Sequence, residues 1–392
     1  ATEAQIHDLA DILNQYAPRH TQILPLFARQ SFAEQQQIFH PTGGRRIIIA
    51  TNVAETALTV PNIRYVIDLG FARMSRYDYR SRVQRLPIEA ISQAAANQRK
   101  GRCGRVAAGV CIRLYSEEDF TSRPEFTEPE ILRTNLASVI LQMANLGLGE
   151  VENFDFIQPP DNRLVNDGRK LLEELGAIAT KKTENSLSIA NNNSKGQSKR
   201  HPNQLTKVGQ MMAKMPIDPR LARMLIAGEQ YGCLKELLVI VSGLSVQDPR
   251  ERPSDKQTQA DQKHALFRQA DSDFLFYLSL WQAIHGALFK SGGFKSSGFK
   301  SDGFKSSDLD QQKNATLDDE AAPIAQSPYG NDKLTNSQRK SFAKKHFLSS
   351  PRLREWQQTH SQLLQMVDGL KLTINQEPAS YVSIHRALLT GL

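Results

Sequence analysis

The sequence is poor in the residues that build covalent or metal-held scaffolds. Three cysteines occur in 392 residues, Cys103, Cys111 and Cys233, and their spacing matches neither a disulfide framework nor a set of metal ligands. We therefore expect reduced thiols in a cytoplasmic protein, and no metal site. No apolar run reaches the roughly 18 residues that a membrane-spanning helix needs, and the amino terminus has no signal-peptide pattern. These absences argue against insertion into a membrane.

Positive charge is present but unevenly distributed. The net charge is +8 and the isoelectric point is about 9.3, which is modest for a chain expected to form about two to four domains. Between Arg64 and Arg113, however, eleven Lys and Arg residues occur with three acids, Asp68, Asp78 and Glu89. Such a basic stretch indicates a polyanionic partner such as nucleic acid.

The densest part of this stretch is residues 98–105, which read Q-R-K-G-R-C-G-R. Arg102 and Arg105 are three residues apart and would share one face of a helix. Two guanidinium groups on one face form a fork for phosphate, and the intervening glycines allow a close approach of backbone or ligand. By itself the spacing fits a solvated surface or a general nucleic-acid patch equally well.

A second informative segment covers residues 45–68. The run from Ile47 to Ala50 is apolar and β-branched, as in a strand buried on both faces of a parallel sheet, and Arg64 to Asp68 resembles the next strand. Between them lies a polar cluster that begins with Thr51 and Asn52. The cluster therefore falls at the carboxyl end of a strand, where open α/β sheets bind ligands.

These two segments carry a family resemblance. Residues 50–61, A-T-N-V-A-E-T-x-L-T-V-P, followed by Q-R-x-G-R-x-G-R at 98–105, resemble motifs V and VI of the DEAH-box ATP-dependent RNA helicases, in the bacterial HrpA branch. The resemblance extends over about residues 1–290 and 340–392. It implies the C-terminal part of a helicase that moves 3′ to 5′ along single-stranded RNA.

The resemblance also implies a domain order. Residues 1–123 would form the second RecA-like domain, an α/β domain in which helices cover both faces of a parallel sheet and a β-hairpin projects near residues 71–88. Mostly α-helical domains would follow, namely a winged-helix domain at 124–180 and, after a polar loop at 181–204, a helical-bundle (ratchet, or HA2) domain at 205–392. A repeat of the type Phe-Lys-Ser predicts a low-complexity insertion in that bundle at about 289–333.

Periodicity supports this order independently of the resemblance. Apolar residues at helical spacing, capping signals and short β-branched runs predict individual helices and strands. The predicted helices are 3–17, 31–39, 134–146, 166–175, 234–246, 353–370 and 381–389, and the predicted strands are 23–27, 47–50, 64–68 and 110–115.

Two motifs of the family do not occur in the sequence. A phosphate-binding loop needs G-x-x-x-x-G-K-[ST], and the family also carries D-E-A-H; neither is present. We therefore expect a fragment whose first RecA-like domain lies upstream, and we expect the fragment alone to be inactive. The alternative is a non-catalytic RNA-binding or regulatory module.

For the nucleotide site, the resemblance assigns five residues. Arg102 and Arg105 would act as arginine fingers on the γ-phosphate of ATP, and Gln98 would orient the attacking water. Phe39 would stack on adenine, although its helical spacing also fits an ordinary core position, and Thr59 would face the nucleotide. ATP would bind with Mg²⁺, and the missing first RecA-like domain would hold most of the metal's ligands.

For nucleic acid, the resemblance assigns Thr51 and Asn52 to the RNA backbone. The alternation of basic and aromatic residues in the hairpin adds Arg76, Arg80 and Arg82 as contacts for single-stranded nucleic acid; a surface hairpin with no ligand is the other reading. Single-stranded DNA, mRNA or the ribosome are further possible partners, and we expect a monomer.

One position departs from the family pattern. Ala57 stands where the family usually has the serine of E-T-S-L-T, a residue implicated in sensing the γ-phosphate. Alanine offers no hydroxyl, so we expect weaker coupling between ATP and the motif V loop, but retained ATP hydrolysis in the intact protein.

Overall fold

A computed structural model describes residues 3–27, 30, 32–40, 43–56, 59–105, 107–179, 204–253, 256–269, 271–286 and 334–392. It divides into two compact units, residues 1–213 with 249–264 and 346–349, and residues 214–248 with 265–345 and 350–392. The predicted insertion at 289–333, the predicted loop at 181–204 except Gln204, and Ala57 lie outside the described residues. The predicted domain boundaries stay a prediction.

The described strands all belong to the first unit, where they form four two-stranded pairs. β1–β2 and β3–β8 are parallel, and β4–β7 and β5–β6 are antiparallel. The strands are β1 Thr21–Leu26, β2 Arg45–Ala50, β3 Tyr65–Asp68, β4 Phe71–Arg73, β5 Arg76–Asp78, β6 Val83–Arg85, β7 Ile88–Ala90 and β8 Val110–Arg113. The two antiparallel pairs are the predicted hairpin.

Helices connect several of these strands and predominate in the rest of the described chain. The helices are α1 Glu3–Tyr16, α2 Phe32–Gln36, α3 Val53–Thr56, α4 Gln93–Lys100, α5 Glu117–Ser122, α6 Ala137–Leu146, α7 Asn162–Glu174, α8 Lys207–Ala213, α9 Pro219–Gln230, α10 Leu234–Leu244, α11 Gln257–Ala265, α12 Leu275–His285, α13 Asn336–Lys345, α14 Ser350–Gly369 and α15 Tyr381–Leu389. No described helix combines the length and the apolar character that crossing a membrane requires.

Alternation along β1 and β2 buries both faces of this pair. Ile6 and Ala10 of α1 pack with Phe27 and Ile49 on one face. On the other face Leu24 and Leu26 pack with Ile38, which belongs to the short 3₁₀ helix after α2. Side chains on a strand point to alternate faces, so a strand rich in β-branched residues needs cover on both. The predicted arrangement of helices on both faces is confirmed here.

The β3–β8 pair differs from the predicted single sheet. It is a separate parallel ribbon in the described chain, and its register brings Tyr65 opposite Val110 and Ile67 opposite Ile112. These four side chains share one face, and all four are exposed. The other face carries Asp68, which is 2 % exposed and belongs to the site described below.

The described part of the second unit is helical, as the fold prediction expects, with α10 at its centre. Nearly every residue of α10 is buried, as expected for a helix that is apolar all round. Trp356 of α14 is fully buried and its indole N–H donates to the Val239 carbonyl at 3.1 Å and to the Ser242 hydroxyl at 3.0 Å. A Cβ at Gly243 would lie 2.4 Å from a ring carbon of Tyr277, so this glycine permits the close packing of α12.

Candidate functional site

The motif V loop begins where β2 ends. The Thr51 amide donates to the Leu26 carbonyl at 3.1 Å, which ties the loop to β1, and the Glu55 amide donates to the Asn52 carbonyl at 2.9 Å in the short helix α3. Thr51 is half-buried and Asn52 is exposed. Both polar side chains therefore lie at the carboxyl end of a parallel strand, as the sequence predicts.

The motif VI segment begins with α4 and continues beyond it. Ser92 caps the helix by accepting a hydrogen bond from the Ala95 amide at 3.2 Å, and α4 ends at Lys100. Arg102 and Arg105 therefore lie in the turn that follows, so helical spacing is not what brings them together. Gly101 and Gly104 explain the early end, because glycine is a poor helix former.

Tertiary contacts with motif V bring the two arginines together instead. Nη2 of Arg102 donates to the Glu55 carbonyl, and Nη1 of Arg105 donates to the Thr59 hydroxyl. Burial lowers the pKa of Arg102, and the nearby charge of Arg105 lowers it further. Two guanidinium groups that repel each other at a half-open site suit a multivalent anion, since phosphate oxygens between them would offset the repulsion.

The remaining residues predicted for the nucleotide have different settings. Gln98 is exposed on the last turn of α4, and Thr59 is exposed beside Arg105. Phe39 is half-buried in the 3₁₀ helix and packs against the core cluster of Leu24, Leu26 and Ile38. This contact favours the core position that the sequence left open for Phe39, while adenine stacking stays a prediction.

Arg76 of the hairpin is engaged inside the first unit. Its guanidinium forms two short hydrogen bonds with Glu89, from Nε at 2.8 Å and from Nη2 at 2.9 Å, and a further ion pair with Glu128. These hydrogen bonds raise the pKa of Arg76 above its usual value. In the structure Arg76 joins β5 to β7 and to the segment between α5 and α6 that carries Glu128, while its RNA contact stays a prediction.

Arg82 is held in the same way by α7. Its Nη1 lies 2.8 Å from Glu174 and its Nε lies 3.4 Å from Asp167. The Tyr77 hydroxyl also donates to Asp167, at 2.6 Å. Arg80 is exposed, as Arg82 is, with its guanidinium 5.9 Å from the centre of the Tyr79 ring. Of the three hairpin arginines predicted for RNA, Arg76 is half-buried and the other two are exposed, and their RNA contacts stay a prediction.

Comparison with known proteins places this geometry in a family. The profile of the Helicase conserved C-terminal domain matches residues 2–107, and that of the Helicase associated domain (HA2), ratchet-like, matches residues 218–277. Two curated relatives match over 390 residues and all of this chain: the ATP-dependent RNA helicase HrpA of Escherichia coli at 48 % identity, and the ATP-dependent RNA helicase HrpA homolog of Haemophilus influenzae at 50 %. All of this chain is therefore similar to a part of the HrpA helicases.

This chain matches only part of the length of these HrpA proteins. The chain spans 26 % of the length of each curated relative. Among solved structures, the chain is similar to the E. coli DExH-box NTPase HrpB, at 25 % identity with a TM-score of 0.53, over 72 % of this chain and 31 % of that one. The RecA-like and helical-bundle fold expected from motifs V and VI is thereby confirmed.

Arg99 is a site residue of this HrpA-like chain for which the sequence indicated structure or RNA binding but no partner. Its Nε lies 2.9 Å from a Glu55 carboxylate oxygen and its Nη1 lies 2.8 Å from Asp68. Asp68 also accepts hydrogen bonds from the Gly70 amide and the Tyr115 hydroxyl, each at 3.0 Å. Because the two acids are 44 and 31 residues away along the chain, no local pattern could have indicated these pairs.

Protonation at this cluster follows from burial and hydrogen bonding. Burial acts to lower the pKa of Arg99, but its hydrogen bonds to Asp68 and Glu55 outweigh that effect and raise it. Burial, together with the hydrogen bond to Asp68, raises the pKa of Tyr115 to about 12. The guanidinium therefore stays charged and the phenol stays neutral throughout the physiological range.

The described residues offer phosphate ligands but no cluster of three or more metal ligands. No group of three or more His, Cys, Asp or Glu side chains in the described part of the chain could hold a metal ion. The arginines after α4 fit the phosphates of a nucleotide, whereas no described residue is assigned to Mg²⁺.

Proposed function

We propose that this chain is the part of an ATP-dependent RNA helicase that joins the phosphates of ATP to the RNA backbone. The observation that carries the proposal is the meeting of motif VI with motif V, in which Arg102 and Arg105 bind Glu55 and Thr59. One end of the motif V loop faces this arginine pair, and the other end carries Thr51 and Asn52 at the end of β2.

At the phosphate end, the proposed roles follow from charge. Phosphoryl transfer to water needs positioning and neutralisation of charge rather than covalent catalysis. Arg102 and Arg105 stabilise the negative charge that develops on the γ-phosphate, and exposed Gln98 orients the attacking water. Thr59 and Phe39 line the nucleotide side. Mg²⁺, bound with ATP by residues outside the described part of the chain, supplies further neutralisation.

At the RNA end, Thr51 and Asn52 hold phosphate oxygens, which positions a strand without reading its sequence. Exposed Arg80 adds charge at the tip of the hairpin, while the ion pairs of Arg76 and Arg82 hold that hairpin in place. The substrate we propose is single-stranded RNA, traversed 3′ to 5′. Single-stranded DNA, mRNA on the ribosome, a monomeric state and a cytoplasmic location belong to the same proposal.

The test is ATP hydrolysis by the intact gene product with and without single-stranded RNA. We expect RNA to stimulate turnover, and Arg102→Ala and Arg105→Ala each to lower the stimulated kcat by about 10³-fold, as loss of an arginine finger does. Arg64→Ala removes an exposed arginine outside both motifs and serves as the matched control, with near wild-type turnover expected.

Two outcomes would count against the proposal. Wild-type turnover in both arginine variants would remove these side chains from the chemistry. An intact gene product that binds RNA but hydrolyses no ATP would favour the alternative, a non-catalytic RNA-binding or regulatory module.

A further inference from the structure

Arg99 joins three separate elements through one guanidinium group. It contacts Glu55 on α3 and Asp68 at the end of β3, and its Nη1 also donates to the Phe71 carbonyl at 3.2 Å, where the hairpin begins. The Asp68 side chain is fully buried, and the side chains of Arg99 and Glu55 are 16 % and 15 % exposed. The Arg99 guanidinium is tightly held by the Glu55 and Asp68 carboxylates, because each of these shielded charges would be poorly solvated without its partner.

Glu55 is held from two directions by the same segment. Its carboxylate binds Arg99 and its backbone carbonyl binds Arg102. Arg99 lies in the last turn of α4, and the Arg102 amide donates to the Arg99 carbonyl at 3.0 Å. Any displacement of Glu55 therefore changes the position of Arg102. The ion pair between Arg99 and Glu55 determines how closely Glu55 and Arg102 move together.

Glu55 is also one helical turn from the polar residues at the end of β2. Within α3 its amide binds the Asn52 carbonyl, and the Ala54 amide binds the Thr51 carbonyl at 3.3 Å. Because α3 is a single helical turn, we expect it to move as a rigid unit. A phosphate that pulls on Thr51 or Asn52 would therefore move Glu55 as well.

We propose that Arg99 is a positioning residue that transmits the binding of RNA at Thr51 and Asn52 to the arginine pair at 102 and 105. This inference rests on the proposed function, and it adds a specific mechanical connection. Arg99 touches neither substrate. It acts through Glu55 and is anchored by Asp68, so that α3 and the turn after α4 respond together.

The test uses the intact gene product with two substitutions that conserve size. Arg99→Lys keeps the charge, but a single ammonium cannot reproduce the planar fork that reaches Glu55, Asp68 and the Phe71 carbonyl together. Glu55→Gln keeps the shape and removes the charge that Arg99 binds. Each variant is assayed for ATP turnover without RNA, for turnover at saturating RNA, and for RNA affinity.

We expect RNA-stimulated kcat to fall about tenfold in both variants, a loss of about 1.4 kcal/mol in coupling, with RNA-free turnover and RNA affinity within about twofold of wild type. Arg169→Lys is the matched control, because Arg169 is 17 % exposed and binds Glu152 away from both motifs; it should leave stimulation unchanged. Should Arg99→Lys fold poorly, Glu55→Gln alone carries the test.

The outcomes separate this inference from the proposed function. Stimulated and unstimulated rates that fall together, or RNA affinity that falls with them, would make Arg99 a structural residue only and overturn the inference while leaving the function intact. A wild type that shows no RNA stimulation would overturn both.

Discussion

At the scale of single residues, buried carboxylates organise the first unit by holding cations and donors from distant segments. Asp68 is 2 % exposed and binds Arg99 and the Tyr115 hydroxyl. Asp167 is 8 % exposed and accepts from the Tyr77 hydroxyl and, at 3.2 Å, from the Asn135 amide. Since removing one partner leaves the others unsatisfied, such residues are sensitive to substitution.

Asp167→Ala is expected to lower the free energy of unfolding by about 3 kcal/mol, because it removes a buried carboxylate that accepts from the Tyr77 hydroxyl and pairs with Arg82. Glu174→Ala is the matched control, since Glu174 binds the same arginine but its side chain is 54 % exposed; a loss below about 1 kcal/mol is expected. Urea unfolding followed by circular dichroism measures both. Equal losses would show that burial of Asp167 is not what matters.

At the scale of elements, local sequence was a good guide wherever a helix or strand carries its own signals. The end of α6 at Gly147 is an example, since Gly147 has a φ of 67°, a conformation glycine adopts readily. The hairpin was recognised from alternation, but its contacts with α7 were not, because they depend on residues about 90 positions away. Alternation of residue types along a strand predicts which side chains share a face, but it does not predict which residues pack against that face.

Between α12 and α14, two histidines pack on one tryptophan. The ring centres of His285 and His360 lie 4.0 Å and 4.5 Å from that of Trp281. Burial lowers the pKa of both to about 4, and the charge of Arg339 adds to this for His285. Below about pH 6.5 the unfolded chain takes up protons that the folded chain does not, so stability present above that pH is lost as pH falls towards 4.

We expect the second unit to lose up to about 3 kcal/mol per histidine over this window. Trp281 and Trp356 are the two tryptophans of the chain and both belong to this cluster, so intrinsic fluorescence during urea unfolding reports on it directly. Comparing wild type with the double variant His285→Phe and His360→Phe isolates the effect. The variant should show a flatter dependence on pH, and identical slopes would contradict the assignment.

At the scale of the whole molecule, the proposed function gives residues 1–392 one side of a nucleotide site. The sequence has no G-x-x-x-x-G-K-[ST], the loop whose amides and lysine hold the phosphates of ATP. Arginine fingers stabilise a phosphate that other residues have already bound. The chain also carries a net charge of +8, which favours binding of a polyanion whether or not ATP is hydrolysed.

Purified residues 1–392 are therefore expected to release no phosphate from ATP above background, yet to bind single-stranded RNA weakly. Binding should weaken steeply with added salt, because it depends on displaced counterions. Phosphate release and the anisotropy of a labelled RNA at two salt concentrations measure the two properties. Robust hydrolysis, or binding insensitive to salt, would contradict this expectation.

Short-range spacing was enough to predict the family resemblance, many of the helices and strands, and the residue types of the two motifs. Which residues meet depends on folding, and the sequence did not show it. The tertiary structure ended α4 before Arg102, placed Arg76 and Arg82 in ion pairs, packed Phe39 on a core cluster and set Arg99 between Glu55 and Asp68. Those contacts depend on burial and charge across tens of residues, where spacing along the chain carries no information.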